Sequence, residues 1–176
     1  MNLPTRGCAA CAILLIALLA QRVHADAAGD VQKAIDQGDA ARGLQLSLAA
    51  LVAKPGDARL RFLQGVALFD LKRDAQALEV FSSLAQDFPQ LPEPQNNIAA
   101  LHARQGQWDQ ARGALELALR NDPSQAAARE NLGDVYLQLA LQQWLAAAPK
   151  SAGNPALARK LRLGRELQSV PAEPCR

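Results

Sequence analysis

The feature that most constrains this chain is a period of 34 residues. Pro55, Pro89 and Pro123 follow one another at intervals of 34, and Ala77 and Ala111 are 34 apart, as are Ile98 and Leu132. Leu68, His102 and Tyr136 fall at successive intervals of 34, while Gly65 and Gly133, like Gly38 and Gly106, are separated by 68, twice that period. A single register therefore fits four units, 24–57, 58–91, 92–125 and 126–159, without insertions. Self-similarity at this spacing marks a repeat architecture, in which each unit buries its apolar face only by stacking on its neighbours.

Within each unit the period is helical. Leu60, Leu63, Ala67 and Leu71 recur at spacings of three and four, as do Ala77, Leu78, Phe81, Leu84 and Ala85 after Asp74. Asp74 is expected as an N-cap of the second helix. In the third unit Ile98, Leu101 and Gln105 precede a Gly106-Gln107 turn, and Ala111, Leu115, Ala118 and Leu119 follow it. Pro89 and Pro123 cannot continue a helix interior and so punctuate the units. Each unit reads as a helix hairpin. Only 4% of residues are aromatic, and the wealth of Ala and Leu favours an all-α chain, because sheets prefer β-branched and aromatic residues.

The amino terminus reads as an address. Arg6 precedes an uncharged run from Gly7 to Gln21, and Val23-His24-Ala25 supplies small side chains just before Asp26. Basic start, apolar middle and small-residue site together predict a signal peptide over 1–25, cleaved after Ala25, and hence a periplasmic protein. The run of 15 residues falls short of the ~20 that span a bilayer, so no transmembrane segment is expected after processing. Removing Arg6 and Arg22 from the 19 basic residues leaves 17, equal to the 17 acids that remain. A balanced chain has no basic footprint for nucleic acid. Cys8 and Cys11 leave with the leader, so their Cys-x-x-Cys spacing predicts no redox or zinc site. Cys175 alone remains, in a tail over 170–176, and an intermolecular disulfide there is the alternative to an expected monomer.

The sequence resembles the tetratricopeptide repeat (TPR) family, whose pattern places a small residue and then an aromatic in the first helix, and Ala, a large apolar residue, Ala and Pro in the second. Residues 58–91 supply Gly65, Leu68, Ala77, Phe81, Leu84 and Pro89; residues 92–125 supply Ala99, His102, Ala111, Leu115, Ala118 and Pro123. Residues 126–159 open with Leu132-Gly133-Asp134-Val135-Tyr136. The repeat-defining structural positions are therefore Gly65, Ala77, Phe81, Pro89, Ala111, Pro123, Gly133 and Tyr136. The resemblance implies a right-handed superhelical stack of helix hairpins over 26–169, three to four repeats with a C-terminal helix at about 155–168, in a small exported bacterial protein.

Two departures from that pattern shape expectations. Unit 24–57 carries Gly43 and Ser47 where the next unit has Ala77 and Phe81, and it reads as a degenerate capping repeat. Unit 126–159 is partial: with no Gly or turn cluster after Tyr136, residues 126–148 form either one long helix or a hairpin. Asn154 and Pro155 then suit a helix start, followed by Leu157, Leu161 and Leu167 on one side and Arg159, Lys160, Arg162 and Arg165 elsewhere. That helix is expected to solvate the end of the stack, with contact of its cations to anionic lipid or a partner as the other reading.

No catalytic constellation is visible. His102 is the one histidine after the expected leader, and it fills the slot of Leu68 and Tyr136, so it is expected to be packed. One His and one terminal Cys do not make a zinc site, no metal or other cofactor is expected, and no phosphate-cradling Gly loop appears. Glu130 and Asp134 stand one helical turn apart, which leaves an acid/base hydrolase as the alternative function.

The resemblance instead implies recognition of another protein by the concave groove, lined by the first helix of each hairpin. Carried onto this chain, the groove positions are Phe62, Val66, Phe69 and Asp70, then Glu93, Asn96, Ala100, Ala103 and Arg104, then Glu130, Asp134, Leu137 and Gln138. Phe62, Val66 and Phe69 lie off the face marked by Leu63, Ala67 and Leu71, and an apolar patch off the core face suggests a binding surface. Only Asn96 and Arg104 suit the carboxylate clamp known in the family. Asp36, Asp70, Glu130 and Asp134 would repel a carboxylate, so the expected partner is an apolar or mildly basic segment. In sum, the sequence predicts a non-catalytic periplasmic scaffold that assists envelope assembly or secretion.

Overall fold

The computed structural model describes residues 27–151 and 153–169. The expected signal peptide and Cys175 lie outside these residues. The chain divides into two compact units, with the boundary between Val80 and Phe81. Eight α-helices run through the described residues: α1 (Ala27–Asp36), α2 (Ala40–Ala53), α3 (Ala58–Asp70), α4 (Asp74–Asp87), α5 (Glu93–Arg104), α6 (Trp108–Asn121), α7 (Ala126–Ala147) and α8 (Pro155–Gln168). No strand occurs among them. None of these helices is long and apolar enough to cross a membrane.

The 34-residue period sets the turns. After α1, Gly38 adopts a left-handed φ of 79°, and after α5 Gly106 adopts 71°. Midway between them in the repeat, after α3, Lys72 adopts 59°. All three close the same pair of backbone bonds. Gly38 N–H reaches Ile35 C=O and Asp39 N–H reaches Ala34 C=O, and the pattern recurs at Lys72 and Arg73 and again at Gly106 and Gln107. This 6→1 closure ends a helix by satisfying its last carbonyls. Asp39 and Asp57 open helices from the other side, each accepting a first-turn backbone N–H at 3.0 Å, from Arg42 and Leu60 respectively. Asp74 differs from expectation. The Arg73 carbonyl accepts from Gln76 and Ala77, so Asp74 is the first helical residue and not the cap. A carboxylate there still suits the positive end of the helix dipole.

In the first unit α1 packs on α2 and on α3, and α2 packs on α3. The core is Val31, Leu60 and Leu63, with Ile35, Leu46, Leu51 and Phe62 packed against it. The departures at Gly43 and Ser47 have a packing reason. A Cβ on Gly43 would lie 2.8 Å from Ile35 Cγ1, so glycine lets α2 lie against α1. Ser47 is fully buried, and its hydroxyl donates to Leu44 C=O at 2.8 Å, which removes the cost of burying it.

In the second unit α5 packs on α6, α6 on α7, α5 on α7, and α8 on α7. Leu101, Leu115, Ala111 and Ala118 are buried between these helices, together with Ala128 and Val135 of α7. His102 is half-buried and shares a 2.6 Å hydrogen bond between Nδ1 and Gln107 Oε1. Asn121 Nδ2 donates to Pro89 C=O at 2.6 Å, tying the end of α6 to the loop before α5.

The fourth repeat ends the solenoid differently. One repeat after Gly106 the chain carries Ala140, an excellent helix former, and α7 runs straight through it for 22 residues. Of the two readings of 126–148, the long helix is the one adopted. A short 3-10 turn (Ala148–Lys150) follows, and α8 begins where Asn154 accepts from the Ala156 and Leu157 amides at 3.0 and 3.2 Å.

Gly133 and Tyr136 therefore depart from their expected structural roles. No second helix returns over them, Gly133 is exposed with nothing within 4 Å of an added Cβ, and Tyr136 is exposed on the surface. The other repeat-defining positions keep theirs. Ala77, Phe81 and Ala111 are fully buried, Gly65 is buried, and Pro89 and Pro123 stand in the exposed links before α5 and α7.

Candidate functional site: the faces of the first helices

The first helices of the hairpins are α1 and α3 in the first unit and α5 and α7 in the second. Their packing in pairs, α1 on α3 and α5 on α7, places like faces side by side within each unit.

On α3 the four predicted residues fall into three environments. Phe62 is partly buried and packs against the Val31, Leu60 and Leu63 core, to which α1 of the degenerate repeat contributes Val31. This corrects the expectation that Phe62 lies off the core face. Val66 and Phe69 are half-buried, and Asp70, the last residue of α3, is exposed. A helix of 3.6 residues per turn puts Phe62, Val66 and Phe69 on one stripe. That stripe grades from core at its amino end to surface at Asp70.

On α5 and α7 the charged positions are exposed and the amide positions are engaged. Arg104 ends α5 at the surface, and Glu130 and Asp134 are exposed one turn apart on α7. Asn96 is half-buried and accepts from Asn131 Nδ2 at 2.9 Å. This bond fixes α7 against α5 and makes Asn96 an element of the packing. Asn131 was not legible as its partner: it carries no pattern of its own, and only its distance of 35 residues from Asn96, one more than the repeat, hints at it. Gln138 is engaged as well, accepting from Gln168 Nε2 of α8 at 2.7 Å.

The position of α8 was also beyond the sequence. Glu130, Asp134, Leu137, Gln138 and Leu141 follow one another along one stripe of α7. Gln138 meets Gln168, and a Cβ on Gly164 would lie 2.6 Å from Leu141 Cδ2 and 3.4 Å from Trp144 Cζ3. So α8 runs antiparallel to α7 and covers the carboxyl-terminal continuation of the groove stripe. Gly164 was the available signal: a glycine inside an otherwise strong helix costs about 1 kcal/mol and needs a packing reason.

Among the described residues no group of three or more His, Cys, Asp or Glu side chains is placed to hold a metal ion. Asp122 lies at the link between α6 and α7. The Ser124 hydroxyl and backbone N–H, at 2.6 and 2.9 Å, hold the Asp122 carboxyl below the usual range.

Comparison with known proteins agrees with this geometry. The tetratricopeptide repeat pattern matches residues 14–92 and again residues 92–135. No curated protein matches the chain. The first TPR domain of human RPAP3 is similar in structure, with a TM-score of 0.62 at 18% identity over 66% of this chain and 92% of that one. The first TPR of Spaghetti (RPAP3), bound to the HSP90 peptide SRMEEVD, superposes with a TM-score of 0.60 at 18% identity over 65% and 90%. SycD, the type III secretion translocator chaperone of Yersinia enterocolitica, does so with a TM-score of 0.57 at 12% identity over 84% and 96%. With the repeat period, the paired helices and the matched residues in one register, the chain belongs to the tetratricopeptide repeat family.

Proposed function

We propose that this protein is a non-catalytic scaffold of the bacterial periplasm that binds an apolar or mildly basic protein segment through the first-helix faces of its repeats, in the service of envelope assembly or secretion. The observation that carries the reading is the run of half-buried Val66 and Phe69 along α3 to exposed Asp70. Asp70 closes the α3 stripe, and Glu130 and Asp134 stand open on α7. Exposed charge beside partly covered apolar surface is what a polar-rimmed recognition face needs. The RPAP3 relative holds a peptide ending Glu-Val-Asp. Three acids on the present faces favour the opposite charge in the ligand.

Export supports a periplasmic setting through the basic, apolar and small-residue succession of residues 6–25. Sequencing the amino terminus of protein from a periplasmic extract is expected to read Asp26; an intact Met1 would overturn export. Crosslinking in the native envelope should capture one protein with wild type. The Glu130→Lys/Asp134→Lys variant should lose it while melting normally. Equal capture by both would overturn the groove reading. Turnover of a hydrolase substrate abolished by Glu130→Gln would overturn the scaffold reading.

A further inference from the structure

The last repeat leaves open a surface that the preceding repeat closes. In the third repeat, where α6 packs on α5, the small-residue slot Ala99 is 1% exposed and the next slot, His102, is held by Gln107. One repeat later the same slots are Gly133, exposed with open space at its Cβ, and Tyr136, 48% exposed. The Tyr136 hydroxyl donates to Glu116 Oε1 of α6 at 3.4 Å, so the ring stands at the edge of the vacant slot.

The second wall of this surface comes from α8. Lys160, Leu163 and Leu167 recur at three and four residues and share one stripe, as do Gly133, Tyr136, Ala140 and Trp144 on α7. Lys160 Nζ lies 5.8 Å from the Trp144 ring centroid, which joins the two stripes on one flank of the helix pair. Gln138 and Gln168 meet on the opposite flank. Leu163 is 43% and Leu167 59% exposed, so two helices present an apolar trough with no helix of the described chain in it. Exposed apolar surface of this kind marks an interaction site.

Charge says what would enter the trough. Residues 27–151 carry 12 Lys+Arg against 14 Asp+Glu, whereas α8 carries four against one, Glu166. Arg159 and Lys160 rim the trough on the α8 side, where Glu166 is balanced by Arg162 at 3.9 Å. On the α6 side Glu116 is balanced by Arg112 at 3.8 Å. We infer that the α7–α8 flank is a docking site for an amphipathic helix with acidic flanks, supplied by another protein, which takes the place a fourth-repeat second helix would fill. The mode is helix-in-groove recognition, on a surface apart from the first-helix faces.

The test uses the full chain and a fluorescein-labelled peptide copying residues 107–121, the segment that fills the equivalent slot on α5. One form carries Glu at the positions of Arg112 and Arg120; a control form instead carries Lys at those of Asp109 and Glu116. The acidic form should bind saturably and at least about tenfold more tightly than the basic one. Gly133→Trp places an indole in the slot from a position where an added Cβ meets nothing within 4 Å, and Leu163→Asp breaks the other wall. Each should weaken binding about tenfold or more while Phe69→Ala leaves it unchanged, and thermal unfolding confirms that the variants fold. Absence of saturable binding, equal binding of both peptide forms, or indifference to both variants overturns the proposal. So does a wild-type dimer in sedimentation that Leu163→Asp abolishes, which would make a second copy the occupant. Cosedimentation with phosphatidylglycerol vesicles that Leu163→Asp abolishes would make it a bilayer, with the same consequence.

Discussion

Lys72 and Gly106 occupy the same point of the repeat, 34 residues apart, and share the same left-handed turn, with φ of 59° and 71°. Only one of them is a glycine. A side chain at positive φ costs about 1–2 kcal/mol, part of which glycine returns through its greater freedom in the unfolded chain. Lys72→Gly should therefore stabilise the protein by about 0.5–1 kcal/mol, and Gly106→Lys should destabilise it by at least as much. Paired denaturant titrations read both, and a loss of stability in Lys72→Gly would contradict the turn geometry.

Gly164 is the contact point of α8 on α7. A methyl there would overlap Leu141 Cδ2 at 2.6 Å, and the displaced atom belongs to a buried side chain. Gly164→Ala should cost about 1–3 kcal/mol through overpacking, against the gain a glycine-to-alanine change normally brings in a helix. Hydrogen exchange should show the loss concentrated in α8. In the Leu141→Ala background the same change should cost far less, and a strictly additive double mutant would refute the contact.

Three phenylalanines should rank by environment. Phe81 is fully buried, and Phe81→Ala should lose about 3–5 kcal/mol. Phe62, packed against Val31, Leu60 and Leu63, should lose an intermediate amount. Half-buried Phe69 should lose least. Chemical unfolding of the three alanine variants checks the order, and a Phe69→Ala variant as unstable as Phe81→Ala would place Phe69 in the core.

Asp122 gives a pH signature with a definite sign. Its folded carboxyl titrates below 3.8 because Ser124 donates twice to the ionised form. The bonds therefore favour folding above that value, and their contribution disappears as pH falls through the lowered folded value. NMR titration should place the Asp122 midpoint below 3.8. Ser124→Ala should raise it, and unchanged titration in that variant would dissociate the shift from these bonds.

Much of the fold was legible because its causes are local. Turns at Gly38 and Gly106, prolines between hairpins, an Asn154-Pro155 helix start and apolar spacings of three and four each act within a few residues. Their recurrence at one period then repeats the answer along the chain. The long α7 was within reach for the same reason: with Ala140 at the turn position, nothing local stops the helix. Lys72 was not legible, since only the propagated period forces a lysine into a glycine's conformation.

The candidate site was legible as a set of positions and not as a set of environments. Helical periodicity assigns residues to faces, and the family resemblance to groove positions, among which Asp70, Glu130 and Asp134 are exposed. It does not say which element comes to lie on a face. That Phe62 packs against the Val31, Leu60 and Leu63 core, that Asn131 engages Asn96, and that α8 settles over Leu141 and leaves Gly133 and Tyr136 open were decided only in three dimensions. The sequence by itself determined the helices, their hairpin turns and their repeat, because backbone hydrogen bonding and capping are satisfied within a turn or two. Tertiary structure alone decided which apolar stripes are covered, because burial is non-directional and the chain settles on the arrangement that fits best, down to the space of one missing Cβ at Gly164.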